Sequence, residues 1–427
     1  MIAPAPRLIW LAVAVVLPAA TVAGLVPAVA PLCWGAIVVF AGIAMVDAEL
    51  GIRRLSAVTV RAPEFLRVTK SVAANLTLTV AGGPVRLAMP MPEGVESPMA
   101  VLDATASGAR EILEWSVTGQ ARGDRSLPAV HLEKPSPLGL WQTRGTREVH
   151  CTLRVYPNLR DRVTSMLFLK IADPGFRMRR QVGKGREFDN LRHYLPGDSF
   201  EDIHWKATAR RGFPVIKLYR VEQAQEVYAV IDHSRLSARE GILDSYVDAA
   251  LHLALVAERA GDKFGLITFS DRTERMVRAS SGLDHFRRCR ETIYNLKARR
   301  VSPDFREVFT SLQTTLRRRA LLVFFTSLDD ALLAETFERE VRFLARRHLV
   351  RVNVTQVAGV KPLFTDAPPE DLEGAYQSLA GQMLWNRMRM LGIALQNRGV
   401  RLTVVSPERI KEQVTAQYLE VKRRQAL

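Results

Sequence analysis

The chain has 427 residues, with 60 Lys and Arg against 44 Asp and Glu, a formal net charge of +16. That length holds two or three folding units, each apolar enough for its own core, and the charge suits a negative membrane, an acidic protein or nucleic acid as neighbour. Cys33, Cys151 and Cys289 lie far apart with no CxxC, which argues against a disulfide scaffold and a zinc site and fits a reducing compartment.

Leu8 to Val26 carries no charged residue, and neither does Ala28 to Val46. Each run is about the length of a helix that crosses a ~30 Å hydrocarbon core. The Pro27–Pro31 link between them is short, so residues 1–54 read as a tight transmembrane hairpin. Ala28-Val29-Ala30 resembles a signal-peptide cleavage site, but Pro31 would follow the cut, the apolar run is long for a signal peptide, and a second apolar run comes next. Arg7 precedes the hairpin; Arg53, Arg54, Arg61, Arg67 and Lys70 follow it. The positive-inside rule then places the amino terminus and the large domains on the cytoplasmic side.

Over residues 55–157 the period changes to two. Leu76, Leu78 and Val80 alternate with polar residues, as do Leu113, Trp115 and Val117, and Val149, Cys151, Leu153 and Val155. Turn residues bound these runs, which predicts about seven short antiparallel strands in a small all-β, sandwich-like region. Pro135–Leu140 is expected to turn between strands. His131 and His150 have no partner at ligand spacing, so this region reads as an interaction or spacer module.

Residues 158–225 form a basic linker and then a dense, chemically mixed stretch. Arg177, Arg179, Arg180, Lys184 and Arg186 come with no acid among them, as on a solvated face or beside lipid headgroups. Phe188, Leu191 and Tyr194 then fall at helical spacing, Pro196-Gly197 signals a type II turn, and Ile203, Trp205 and Ala207 fall at spacing two. Glu187, Asp189, Arg192, Asp198, Glu201, Asp202, Lys206, Arg210 and Arg211 surround the turn. They read either as an ion-pair network that fixes a loop or as an interface. His193, Glu201, Asp202 and His204 offer acid–base groups, but without the spacing of a known catalytic or metal motif.

EFDNLRHYLPGDSFEDIHWKATARRG resembles the hallmark of the domain-of-unknown-function 58 family, a run of the type EFxxLRxYxPGDxxxxIxWxATAR. The match takes in Glu187, Phe188, Leu191, Arg192, Tyr194, Pro196, Gly197, Asp198, Ile203, Trp205, Ala207, Thr208, Ala209 and Arg210. The amino-terminal hairpin and the strand-rich region containing Ser136-Pro137-Leu138-Gly139-Leu140 agree with it.

Residues 226–427 alternate strand and helix: strands at Val227–Ile231, Phe264–Phe269, Ala320–Thr326, Leu349–Val354 and Val400–Val405, and helices at Ile242–Arg259, Leu283–Leu296, Ala331–Arg346 and Ala375–Gln396. Such alternation builds a doubly wound α/β, Rossmann-like sheet, and the family resemblance implies a von Willebrand factor A-like domain. Ligands of such sheets sit beyond the carboxyl ends of strands, where Asp232-His233-Ser234-Arg235 and Thr326-Ser327-Leu328-Asp329-Asp330 lie. The type A fold holds a hard cation such as Mg²⁺ with a DxSxS motif, a threonine and a later aspartate. Asp232 and Ser234 match its first two positions, but Leu236 stands at the third and Ser327 where the later aspartate is expected. The threonine is expected around Ser302–Asp304, where the sequence assigns none. This is a degenerate metal site.

The resulting expectation is a membrane-anchored, non-catalytic interaction adaptor. The resemblance implies a MoxR-type AAA+ ATPase as partner in a chaperone-like assembly or maturation system, with other von Willebrand A-like membrane proteins as further neighbours. An electrostatic module for anionic lipid or nucleic acid, through Arg177–Arg186 and Arg317–Arg319, is an alternative, although no nucleic-acid-binding motif is present. A metal-dependent hydrolase is the remaining one, with no Walker A run or GxSxG to support it.

Overall fold

The structure, a computed structural model, describes residues 1–105, 110–159, 182–195, 198–220, 225–239, 241–356, 359–362, 365 and 371–424, the side chains of 27, 182–190 and 218–220 excepted. The chain divides into two compact units, Met1–Asn158 and Leu159–Leu427.

The first unit opens on a short strand, β1 (Ile2–Pro4), which the composition of the segment does not announce. The hairpin follows as α1 (Pro6–Leu25) and α2 (Ala30–Ser56). Both are long and apolar enough to cross a membrane, and α1 buries no side chain in the protein; an apolar helix turned outward on all sides is stable only in lipid. Helix α2 runs ten residues beyond the uncharged segment and packs on strands of the same unit.

Those strands are β2 (Thr59–Arg61), β3 (Phe65–Thr69), β4 (Ala73–Ala81), β5 (Val85–Ala88), β6 (Val95–Glu96), β7 (Val101–Ala104), β8 (Glu111–Gly119), β9 (Gly123–Pro135) and β10 (Trp141–Tyr156). They form two sheets. One is ordered β1-β10-β9-β5-β7, with β3 added in parallel to β10; the other is β2-β4-β8-β6. Leu76, Leu78 and Val80 from the second sheet meet Leu87, Leu132 and Leu153 from the first in one apolar core. The alternation read in the sequence sends these side chains inward because successive residues of a strand face opposite sides. The opposite face of the first sheet carries a cross-strand row of alternating charge, Asp103, Arg86, Glu133 and Arg144.

The second unit begins in the described residues with a hairpin of β11 (Val182–His193) and β12 (Val215–Arg220), with α3 (Trp205–Arg211) between them. Here the periodicity misleads twice. The helical spacing of Phe188, Leu191 and Tyr194 lies on a strand and its continuation, and the period-two run Ile203, Trp205, Ala207 enters a helix. Pairing with β12 decides the first, because it matches the backbone from Glu187 to His193 with a partner strand. The second is decided by caps: His204 Nδ1 accepts from the Ala207 amide, and Gly212 closes the helix at φ 73°, a conformation glycine adopts without a Cβ penalty.

Then come β13 (Glu226–Asp232), α4 (Ile242–Arg259), β14 (Lys263–Phe269), β15 (Thr273–Ser280), α5 (Leu283–Ile293), α6 (Phe305–Thr315), β16 (Ala320–Thr326), α7 (Ala331–Ala345), β17 (Leu349–Thr355), α8 (Leu372–Asn397), β18 (Arg401–Val405) and α9 (Ile410–Arg423). The sheet order is β15-β14-β13-β16-β17-β18, parallel except for the edge strand β15. This is the doubly wound arrangement expected. Val227, Ala229 and Ile231 point to a core closed by α4 and α9; Tyr228 and Val230 point to one closed by α6, α7 and α8. Every residue of β16 is buried, as a central strand covered on both faces must be. Chain direction out of β13 and β16 diverges at their carboxyl ends, so the crevice of the sheet opens between Asp232 and Thr326.

Candidate functional site

Two places answer to the expected site residues. The first is the stretch between β11 and β12. Arg192 grips Asp198 with both terminal nitrogens, Nη1 to Oδ2 at 2.9 Å and Nη2 to Oδ1 at 2.7 Å. Asp198 Oδ2 also accepts from the Leu195 amide at 2.8 Å. The Arg192 hydrogen bonds hold the Asp198 carboxyl below its ordinary range, and the two-point geometry fixes the loop as well as its charge. Tyr194 sets its ring 5.7 Å from that of Phe200, and His193 stacks on Phe213 at 4.3 Å. Thr208 Oγ1 accepts from the Val215 amide, tying α3 to β12. Glu187 lies on β11 opposite Arg220 by backbone register; its side chain, and all of Pro196 and Gly197, lie outside the described residues, as do Arg177, Arg179 and Arg180.

This scaffold presents apolar groups to solvent. Leu195, Phe200 and Trp205 are 57%, 72% and 68% exposed. Lys206, Arg210 and Arg211 on α3 are exposed beside them. Large exposed apolar side chains on a fixed loop and at the start of the helix after it mark a contact surface. Of the acid–base candidates, the two histidines are otherwise employed: His204 caps α3 and His193 stacks on Phe213.

The second place is the crevice between β13 and β16. Asp232 is fully buried. Its Oδ1 accepts from the Ser234 amide at 2.8 Å and its Oδ2 from the Thr326 hydroxyl at 2.6 Å. Burial pushes its pKa up to about 6, against the pull of these bonds. Ser234 Oγ accepts from the Leu236 amide, and Tyr246 donates its hydroxyl to the Thr326 carbonyl at 2.9 Å. Above the crevice, Arg235 pairs with Asp330 at 3.0 Å and Arg239 with Asp329 at 2.7 Å, joining the loop after β13 to the loop after β16. In the region where the threonine is expected, Ser302 takes Arg235 Nε and Asp304 caps α6. The threonine that reaches Asp232 is Thr326.

These residues do not fit a hard cation. Both Asp232 oxygens and the Ser234 hydroxyl are committed to protein donors, the nearby Asp329 and Asp330 are bound to arginines, and no group of three metal-ligating His, Cys, Asp or Glu occurs among the described residues. A cation needs six or more oxygens, largely free of such commitments.

Sequence reasoning passed over one cluster. Ser270 Oγ lies 2.7 Å from both Asp271 Oδ1 and Glu274 Oε1. Arg299 bonds Ser270, Asp271 and Glu274, and buried His233 places Nε2 3.4 Å from Glu274 Oε2. Burial lowers the His233 pKa, with Glu274 opposing. These residues come from the loops after β13 and β14, the start of β15 and the segment between α5 and α6, so no spacing could reveal them. The serine bonds carboxylates and not the imidazole, so no nucleophile–base pair forms. The cluster fastens the 299 loop, where the Arg299 amide also donates to the His233 carbonyl at 2.7 Å.

Residues 190–360, less than half of the chain, match the family described as Protein of unknown function DUF58. No curated protein matches the chain in sequence. Among solved structures, the crystal structure of the SpRpn10 VWA domain is similar at 10% identity and a TM-score of 0.28, over 45% of this chain and 95% of that one. The conserved hypothetical protein BatB from Bacteroides thetaiotaomicron is similar at 14% identity and a TM-score of 0.28, over 46% and 98%. An aerotolerance-related membrane protein from Bacteroides fragilis NCTC 9343, with multiple mutations to serines, is similar at 14% and 0.27, over 46% and 98%. Likenesses this distant carry no argument about what the chain does; its strand order stands on its own pairings.

Proposed function

We propose that this chain, which carries a DUF58 region over residues 190–360, is a membrane-anchored, non-catalytic interaction adaptor on the cytoplasmic face of a bacterial inner membrane. The reading rests on one observation above the others: Leu195 and Phe200 stand exposed on a loop pinned by the Arg192–Asp198 pair, and Trp205 stands exposed at the start of α3 that follows it. Ordering a loop before binding lowers the entropic cost of association, and aromatic side chains in such a position carry a large share of binding energy. The exposed Lys206, Arg210 and Arg211 select an acidic rim on the partner. The partner that the family resemblance implies is a MoxR-type AAA+ ATPase, within an assembly or maturation system that also includes other von Willebrand A-like membrane proteins. The engagement of His193 and His204 in the first place, and of Asp232, Asp329 and Asp330 in the second, supports the non-catalytic part of the reading.

The test is a pulldown from detergent-solubilised membranes, with and without nucleotide, using the full chain and its Trp205→Ala variant. An ATPase recovered by the parent chain and weakened at least tenfold by Trp205→Ala, at unchanged thermal stability, is the expected result, since a buried interface tryptophan contributes about 2 kcal/mol or more. Recovery of no ATPase under either condition overturns the partner. Undiminished recovery with Trp205→Ala overturns the surface.

A further inference from the structure

The outer face of the six-stranded sheet in the first unit holds a cavity of about 650 Å³, within the size range of small-ligand sites. Arg86, Glu133 and Arg144 line it on one side; Ala88 and Val101 line it on another. The arginines share one cross-strand row, with Glu133 between them, so they stand two strand spacings apart, about 10 Å. Each makes its ion pair through Nε, Arg86 to Asp103 at 3.0 Å and Arg144 to Glu133 at 2.7 Å. Both side chains are mostly exposed, 63% and 59%, so these pairs are weak. Among the described residues the Nη groups of both take no partner, which leaves a planar fork on each for phosphate oxygens.

The height of the cavity is fixed by its own unit. Trp141 donates its indole N–H to the Ala44 carbonyl at 2.7 Å, close to the end of the uncharged run of α2 and therefore at the edge of the hydrocarbon. Pro4 lies opposite Trp141 in the sheet. Arg144 stands three residues further along β10, about 10 Å beyond that edge. The headgroup layer begins at the hydrocarbon edge and is about 5–8 Å deep, and an arginine side chain spans the remainder by turning its head toward it. Val101, half exposed, stands with Ala88 in the next row of the sheet, further from the bilayer than the arginines.

We propose that this cavity is a binding site for the phosphate-bearing headgroup of an anionic phospholipid. Arg86 and Arg144 hold phosphate oxygens, and Ala88 and Val101, one row further from the bilayer, lie against the part of the headgroup beyond the phosphate. The site is independent of the signature surface, and its occupant seats the sandwich on the bilayer.

Native mass spectrometry of the full chain in detergent, with phosphatidylglycerol or phosphatidylcholine added, tests it. Expected is selective retention of phosphatidylglycerol, reduced about 30-fold by Arg86→Ala with Arg144→Ala, the size of effect two basic side chains have at a membrane surface. Millimolar inorganic phosphate leaves that retention in place. If the double variant loses thermal stability, Val101→Asp decides instead, because it places a carboxylate in the cavity and expels an anionic headgroup. Equal retention of the two lipids overturns the proposal, as does retention that survives the deciding variant. Displacement by inorganic phosphate alone assigns the site to free phosphate and overturns the lipid.

Discussion

Asp47 and Ser136 are 89 residues apart and hydrogen-bonded: the Ser136 hydroxyl donates to Asp47 Oδ2 inside the protein. The amides of Leu138 and Leu140 donate to the same carboxylate. The turn that the sequence places at Pro135–Leu140 is thus wrapped around the end of the second membrane helix. Arg147 completes the join by donating to the carbonyls of Leu55 and Ser56 in the last turn of α2 and of Val58 just beyond it. The anchor and the sandwich are one body at this point.

Asp47→Ala strands a hydroxyl and two amides in an interior site. A cost of about 2–4 kcal/mol follows, read as a lower unfolding temperature of the full chain in detergent. An unchanged unfolding temperature would falsify the clasp.

Asp198→Asn removes the two-point pair with Arg192 while keeping the size of the side chain. The expected change is local: faster hydrogen exchange at the Leu195 amide, which Asp198 accepts from. The folded carboxyl titrates below its ordinary range, so its contribution is present above the unfolded pKa near 3.8 and is lost as pH falls through the lower, folded value. Leu195 protection in the parent chain therefore holds at pH 5 and fails in strong acid. Protection that disappears already between pH 7 and 5 contradicts the pairing.

Asp232 has the opposite sign. Its folded pKa of about 6 lies above the ordinary 3.8, so the unfolded chain gives up the proton first as pH rises. The stabilising contribution of the protonated, buried group is complete below about pH 4 and lost as pH passes 6, a fall of about 3 kcal/mol. Urea unfolding at intervals from pH 4 to 7 measures it. Asp232→Asn carries no proton to lose, and its stability is expected to be flatter across that window; an identical slope in parent and variant refutes the assignment. Asp330, held low by Arg235, acts only in stronger acid.

Mg²⁺ or Mn²⁺ in millimolar excess is expected to leave the unfolding temperature of the second unit unchanged, and chelator likewise. Binding to the native state alone raises stability by mass action, so a rise of several degrees would show that the ion displaces Thr326 and Ser234 from Asp232.

Gly265→Ala tests the packing of β14. A Cβ there falls 2.3 Å from Cε1 of the Tyr228 ring, and the ring is buried between strands and helices with its hydroxyl bonded to the Ala279 amide. Overpacking of this kind costs about 1–3 kcal/mol, measured by the denaturant midpoint.

The doubly wound class of the second unit was legible because β16 and its neighbours are continuous apolar runs separated by amphipathic helices, a pattern that a two-faced parallel sheet buries; the order of its strands came only from their pairing. The hairpin was legible from two uncharged runs of membrane length. Both depend on local composition alone. Three features do not. Phe188 and Leu191 read as helix until β12 pairs with their strand. The extension of α2 past Val46 carries charges, and only the Ser136 turn and Arg147 explain why it continues. Asp232 and Ser234 resemble cation ligands in sequence, yet Thr326, 94 residues away, and the arginine–aspartate pairs above them commit their oxygens elsewhere. Local periodicity and composition are properties of neighbouring residues, so the sequence by itself determined the membrane helices, the alternation of the sandwich and the doubly wound sheet. Hydrogen-bond partners and burial are set by residues distant in the chain, and those decided the clasp at Asp47, the pinned loop at Asp198 and the closed crevice at Asp232.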